Sequence, residues 1–101
     1  YVQNALKTES SNFEAIKNRL SDEKTIRLLH GAMGLVTESG EFLDAFKKHV
    51  FYGKPLDLVN LGEEAGDLFW YLAIIADALG QDSFNRIMET NIAKLKARYE
   101  I

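Results

Sequence analysis

Four acids stand in two short pairs, Glu38-Ser39-Gly40-Glu41 and Glu64-Ala65-Gly66-Asp67. On a helix, residues three apart lie about 60° apart around the axis and one turn along it, so each pair directs two carboxylates to one place. Like charges so close repel, and apolar surroundings worsen the repulsion and raise the pKa values. A hard divalent cation relieves it, because Mg²⁺ takes a few carboxylates together with waters and phosphate oxygens. Leu35, Val36, Phe42 and Leu43 flank the first pair, and the apolar run Leu68 to Ala76 follows the second. One E-x-x-E reads as a solvated helix face, whereas two pairs set in core-forming segments point to a metal centre as readily as to a surface. A di-iron or di-manganese bundle calls for Glu-x-x-His on its helices. Neither His30 nor His49 stands three residues after a Glu, so the donor set is a hard, all-carboxylate one.

Other polar residues bear on the same place. Asn91, Lys94 and Arg98 step by three and then four, which makes one stripe along a helix. A cation pair with an amide suits phosphate oxygens, although the spacing alone favours an ordinary solvated face. His30 lies eight residues before Glu38, on the metal side, where it is either a nucleotide contact or a hydrogen-bonded structural histidine. Tyr71 stands one turn beyond Asp67 on the same face, a position from which it can stack on a base; Trp70, beside it, reads as core. Lys47, Lys48 and Lys54 flank the loop at the open end, as guides for a polyanion or as solvated lysines. Glu63 is one residue from Glu64 and points about 100° away.

These residues need helices to position them. One proline in the chain and the lack of any long alternating run favour an all-α fold. Asn12 caps a short helix ending near Leu20, and Ser21 or Asp22 caps the next, which carries Ile26, Leu29, Met33 and Val36 and runs to about Val50. Gly31, Gly34 and Gly40 lie inside it. Each costs about 1 kcal/mol against Ala, so they mark either close packing against another backbone or a break into two helices. Phe51 to Pro55 reads as the loop. Asp57 caps a long helix whose Leu58, Leu61, Ala65, Leu68, Leu72, Ile75 and Leu79 follow a 3-4 spacing, with Phe69, Trp70, Ala73 and Ala76 making its other sides apolar too. Gly80 ends it, and Asp82 or Ser83 caps a last helix to about Tyr99 with an apolar stripe of Phe84, Ile87, Met88, Ile92 and Leu95. The stretch from Phe42 to Glu63 lets the first acidic helix finish, turn, and bring Glu64 and Asp67 level with Glu38 and Glu41. The expectation is a bundle of four to five helices in a single domain over residues 1–101.

The bulk numbers agree. A 101-residue chain that is 47% hydrophobic builds a small core, and small domains commonly oligomerise. A helix apolar nearly all round, as over Asp57–Leu79, calls for a homodimer or homotetramer built through it. The net charge of -3 lacks the basic footprint of a nucleic-acid binder, and an acidic protein handling polyanions needs local cations or a metal. With no cysteine, thiolate metal sites and cysteine nucleophiles are excluded. The start Tyr1-Val2-Gln3-Asn4 shows no signal-peptide pattern, and no apolar run approaches the roughly 20 residues of a membrane span. The expected setting is the cytoplasm, with no membrane partner.

Taken together, E-x-x-E followed by E-x-x-D resembles the signature of the MazG-like all-α nucleoside triphosphate pyrophosphohydrolases. The segment from Leu29 to Glu41 resembles that family's first long helix, Glu63 to Leu72 its second, and Asn91 to Tyr99 its last conserved element, so the resemblance covers about residues 26 to 99. It implies Mg²⁺-dependent hydrolysis, with Mn²⁺ as a substitute, of a nucleoside triphosphate to the monophosphate and pyrophosphate, in a role such as nucleotide-pool house-cleaning. Glu38, Glu41, Glu64 and Asp67 would be ligands, Glu38 and Glu41 also candidates for the base, and Asn91, Lys94 and Arg98 phosphate or nucleotide contacts. Phosphoribosyl-ATP as the substrate, or a helical module that binds nucleotide or a protein without catalysis, are the alternatives.

Overall fold

The computed structural model describes residues 1–80 and 84–101. Its helices are α1 (Val2–Leu6), α2 (Phe13–Leu20), α3 (Glu23–Tyr52), α4 (Leu58–Ala78) and α5 (Phe84–Arg98), and no strand occurs among the described residues. The all-α expectation holds.

Side chains set the helix starts. The Ala15 N–H donates to Asn12 Oδ1 at 3.2 Å, the Thr25 N–H to Asp22 Oδ2 at 3.0 Å, and the Asn60 N–H to Asp57 Oδ1 at 3.0 Å. Each satisfies an amide that a helix start leaves without a partner. Asp22, rather than Ser21, is the cap of α3. α3 runs two residues past the expected Val50 and takes Phe51 and Tyr52 out of the loop. It stops at Gly53, whose φ of 68° is left-handed, and the Lys54 N–H turns back to the Lys48 carbonyl at 3.1 Å. This closure suits glycine because no Cβ opposes a positive φ. α4 ends at Ala78, ahead of Gly80 with φ 76°. The expected cap of α5 at Asp82 or Ser83 lies outside the described residues.

α3 and α4 pack antiparallel, with the Arg27 guanidinium donating to Asp77 at one end of the pair and Glu38 opposite Glu64 further along. The glycines decide how close they come. A Cβ on Gly34 would stand 2.2 Å from the Tyr71 ring, and one on Gly31 would stand 2.5 Å from Ile75 Cγ1. Gly31 and Gly34 are buried, and α3 is unbroken across them. The two glycines are packing surfaces, whereas Gly40 meets nothing within 4 Å.

Away from this contact the chain is open. Its radius of gyration is 19.0 Å, against about 13 Å for a compact domain of this length. Leu61, Ala76 and Ala78 are the buried hydrophobic residues among those described. The second apolar side of α4 faces outward, with Phe69 65% and Trp70 71% exposed. α5 does not lay its apolar stripe across both acidic helices: among the described residues it touches α4 and not α3. Ile92 and Met88 therefore remain about half exposed. The stripe has the right period, but a helical period does not say which neighbour will be in reach.

Gly34→Ala is expected to destabilise the fold by about 1–3 kcal/mol through overpacking against Tyr71. Gly62→Ala, in a helix interior with nothing within 4 Å, is expected to stabilise it by about 0.5–1 kcal/mol. Denaturant unfolding of the two variants measures both signs.

Candidate metal centre

The α3/α4 contact sets the first acidic pair against the second helix. Carboxylate oxygens of Glu38, Glu41 and Glu64 lie within 4.8 Å of one another. Glu38 and Glu64 are half-buried and Glu41 is exposed. Asp67, one turn beyond Glu64, stands outside this radius and is exposed, yet its charge still bears on Glu38 and Glu64.

This cluster is electrostatically uncomfortable by itself. Glu38 Oε2 and Glu64 Oε2 are buried and have no hydrogen-bond partner. Loss of water, the neighbouring carboxyl of Glu64 and the charges of Glu41 and Asp67 push the Glu38 carboxyl up to about 7. Glu64 is also raised, first by loss of water and then by the charge of Glu41. Buried polar oxygens without partners are costly, and all the donors here are hard oxygens. The residues therefore fit a hard divalent cation of the Mg²⁺ or Mn²⁺ type, held by Glu38, Glu41 and Glu64 with Asp67 adjacent.

A cavity of about 860 Å³ extends from the acids toward the α3–α4 loop. Its lining carries four carboxylates, Glu41, Asp44, Asp57 and Glu64, together with Lys48, Lys54, Asn60 and Thr37. The loop is latched there by the His49 ring, whose Nδ1–H donates to the Lys54 carbonyl at 2.7 Å. Asp44 holds Lys48 Nζ at 2.9 Å and Lys47 Nζ at 3.7 Å, and these cations keep the Asp44 carboxyl below the usual range.

His30 and Tyr71 occupy the opposite side of the acids, with ring centroids 6.1 Å apart in an edge-on arrangement. Neither lines the cavity. Asn91, Lys94 and Arg98 are exposed on α5 and do not line it either. Sequence reasoning left out Asn60, Thr37 and Asp44. A signal existed for two of them: Asp44 continues the three-residue step of Glu38 and Glu41, and Asn60 lies one turn before Glu64.

The raised carboxyls make stability depend on pH. Between about 4.5, the ordinary value, and about 7, the folded chain binds more protons than the unfolded one, so its stability falls as pH rises through that window. The Tm of the chain in chelator should therefore drop between pH 5 and 8. Glu38→Gln should flatten the drop, and millimolar Mg²⁺ or Mn²⁺ should restore Tm above pH 7. Thermal melts across pH, with and without the cation, check this.

Comparison with known proteins agrees with the geometry. The model of the MazG nucleotide pyrophosphohydrolase domain matches residues 29–100. No curated protein and no solved structure matches the chain. The matched stretch contains the acids of α3 and α4, His30, Tyr71 and the polar stripe of α5. The chain belongs to the MazG nucleotide pyrophosphohydrolase family.

Proposed function

We propose that the protein is a Mg²⁺-dependent nucleoside triphosphate pyrophosphohydrolase that converts a ribo- or deoxyribonucleoside triphosphate and water into the monophosphate and pyrophosphate. One observation carries this reading: three carboxylates of a MazG helix pair meet with two buried oxygens unpartnered. Glu38, Glu41, Glu64 and Asp67 would hold the cation, and Mn²⁺ would substitute for Mg²⁺. When bound, the cation neutralises phosphate oxygens and lowers the repulsion that keeps water from a polyanion.

The chain's own side chains supply the rest. Glu41, exposed on the cavity wall, is open to solvent and can take a proton from the incoming water. Glu38, half-buried behind it, is the second candidate for that base. The bond between the α- and β-phosphates breaks, and the water's oxygen stays with one fragment. Lys48 and Lys54 bring positive charge to the far end of the cavity, where released pyrophosphate oxygens can be met. Tyr71 and His30, on the other side of the acids, suit a nucleobase. Asn91, Lys94 and Arg98 are further phosphate contacts in this reading, on the strength of the family pattern. The enzyme would act in the cytoplasm as a homodimer or homotetramer, in a role such as clearing the nucleotide pool. No described helix is long and apolar enough to cross a membrane.

A panel of nucleoside triphosphates with Mg²⁺, read out as pyrophosphate, tests the reaction. Cleavage should require the cation, and Glu41→Gln and Asp67→Asn should each lower kcat/KM by at least about 100-fold. Release of orthophosphate instead of pyrophosphate, or cleavage unaffected by either substitution, would overturn the reading. In the same assay, Lys94→Ala and Arg98→Ala should each cost about 10- to 100-fold for every triphosphate alike, because charge-assisted contacts to phosphate carry no base identity. Wild-type kinetics in both would remove the α5 stripe from the site.

A further inference from the structure

The turn after α3 is made by the run His49-Val50-Phe51-Tyr52-Gly53-Lys54-Pro55. Gly53 takes the left-handed conformation that ends the helix, and the Gly53 and Lys54 N–H groups donate back to the His49 and Lys48 carbonyls at 3.2 and 3.1 Å. At Lys54 the helix cannot continue. Pro55 has no N–H to donate, and its ring turns the residue before it toward extended backbone. The Lys54 carbonyl is thereby left without a helical donor. The His49 ring takes that place, with Nδ1 2.7 Å from the oxygen.

This bond fixes one wall of the cavity. Lys54 and Pro55 line it, whereas His49 does not. The two lysines of the cavity are held differently. Lys48 Nζ lies 2.9 Å from Asp44 Oδ2, so its charge is already matched. Lys54 is exposed and forms no ion pair among the described residues. It is the cation of the cavity that is open to an incoming anion. A lysine on a loose loop loses backbone as well as side-chain freedom on binding, whereas a lysine on a fixed backbone loses the side chain's freedom only.

We infer that His49 is a positioning residue for polyphosphate: its Nδ1–H holds the Lys54 carbonyl and so sets the Lys54 ammonium at the loop end of the cavity, where it meets the terminal phosphates. The inference rests on the proposed reading of the cavity as a triphosphate site, and it adds a residue that lies outside the cavity and acts through its neighbour. The position of the donor matters as well as its presence. Asparagine carries an amide N–H donor one bond from Cγ, as Nδ1 is, whereas glutamine carries it one bond further out. The hydrogen bond to the carbonyl keeps the proton of the neutral ring on Nδ1 and leaves Nε2 as an acceptor.

Binding of inorganic tripolyphosphate in the presence of Mg²⁺, measured by calorimetry, tests this without relying on cleavage. His49→Ala should raise the dissociation constant about 3- to 10-fold, the worth of one hydrogen bond. His49→Asn should bring it back to within about twofold of the wild-type value, and His49→Gln should not. Lys54→Ala should raise it about 10-fold or more. Adding His49→Ala to Lys54→Ala should cost nothing further, because the histidine acts through the lysine. Amide exchange read by NMR gives the structural side: the Gly53 and Lys54 N–H groups should exchange faster in His49→Ala and recover in His49→Asn. Equal losses from His49→Ala with and without Lys54, rescue by glutamine as well as asparagine or by neither, or unaltered amide exchange in His49→Ala would each overturn the inference. So would a wild-type chain that does not bind tripolyphosphate. A chain that binds it in the expected pattern and yet cleaves no nucleoside triphosphate would sink the proposed reaction and leave the role of His49 standing.

Discussion

Everything at the acidic centre depends on how closely α3 approaches α4. Gly31 and Gly34 leave room for Ile75 and the ring of Tyr71 to sit against the α3 backbone. A side chain at either position would push the helices apart, because packed interiors have little spare volume. The same approach carries Glu38 and Glu41 to Glu64 one to two turns further along. The glycines cost helix propensity, and the tertiary contact offsets that loss.

What the close approach brings together is unfavourable in itself. Two buried oxygens have no partner, and the Glu38 carboxyl is pushed up to about 7. The metal-free chain thus carries local electrostatic strain at the spot where its two best-packed helices meet. Such strain is expected where a protein is built to accept a charge it does not contain. The surroundings give the centre a direction along the helix pair. The latched loop with Lys48 and Lys54 lies on one side, and the His30–Tyr71 pair lies on the other.

The openness of the chain follows from the same economy. Helices long enough to carry two acids, a glycine contact and a loop latch reach beyond what the other described helices cover. α3 and α4 each use one side for the other and present a second apolar side outward. Such exposed apolar area marks surfaces built for contact. On α3 the exposed apolar side and the acidic centre occupy opposite sides of one helix.

Much of this was written in local sequence. Periodicity and capping residues set out the helices to within a few residues, since Asn12, Asp22 and Asp57 cap them through short-range hydrogen bonds. Glu38, Glu41 and Glu64 were legible as one group because a three-residue step on a helix is a statement about direction, and the loop length brings the two helices level. Other features depended on contacts between distant residues. The three glycines of α3 looked alike in sequence, and tertiary packing made Gly31 and Gly34 contact points and left Gly40 open. The cavity wall acquired Thr37, Asp44 and Asn60 from the way the loop folds back. The apolar stripe of α5 found α4 and not α3. Sequence by itself determined which faces are apolar and which acids share a direction, because both follow from the helical period. Tertiary structure alone decided which apolar face meets which, because that depends on the distance and angle at which two helices can approach.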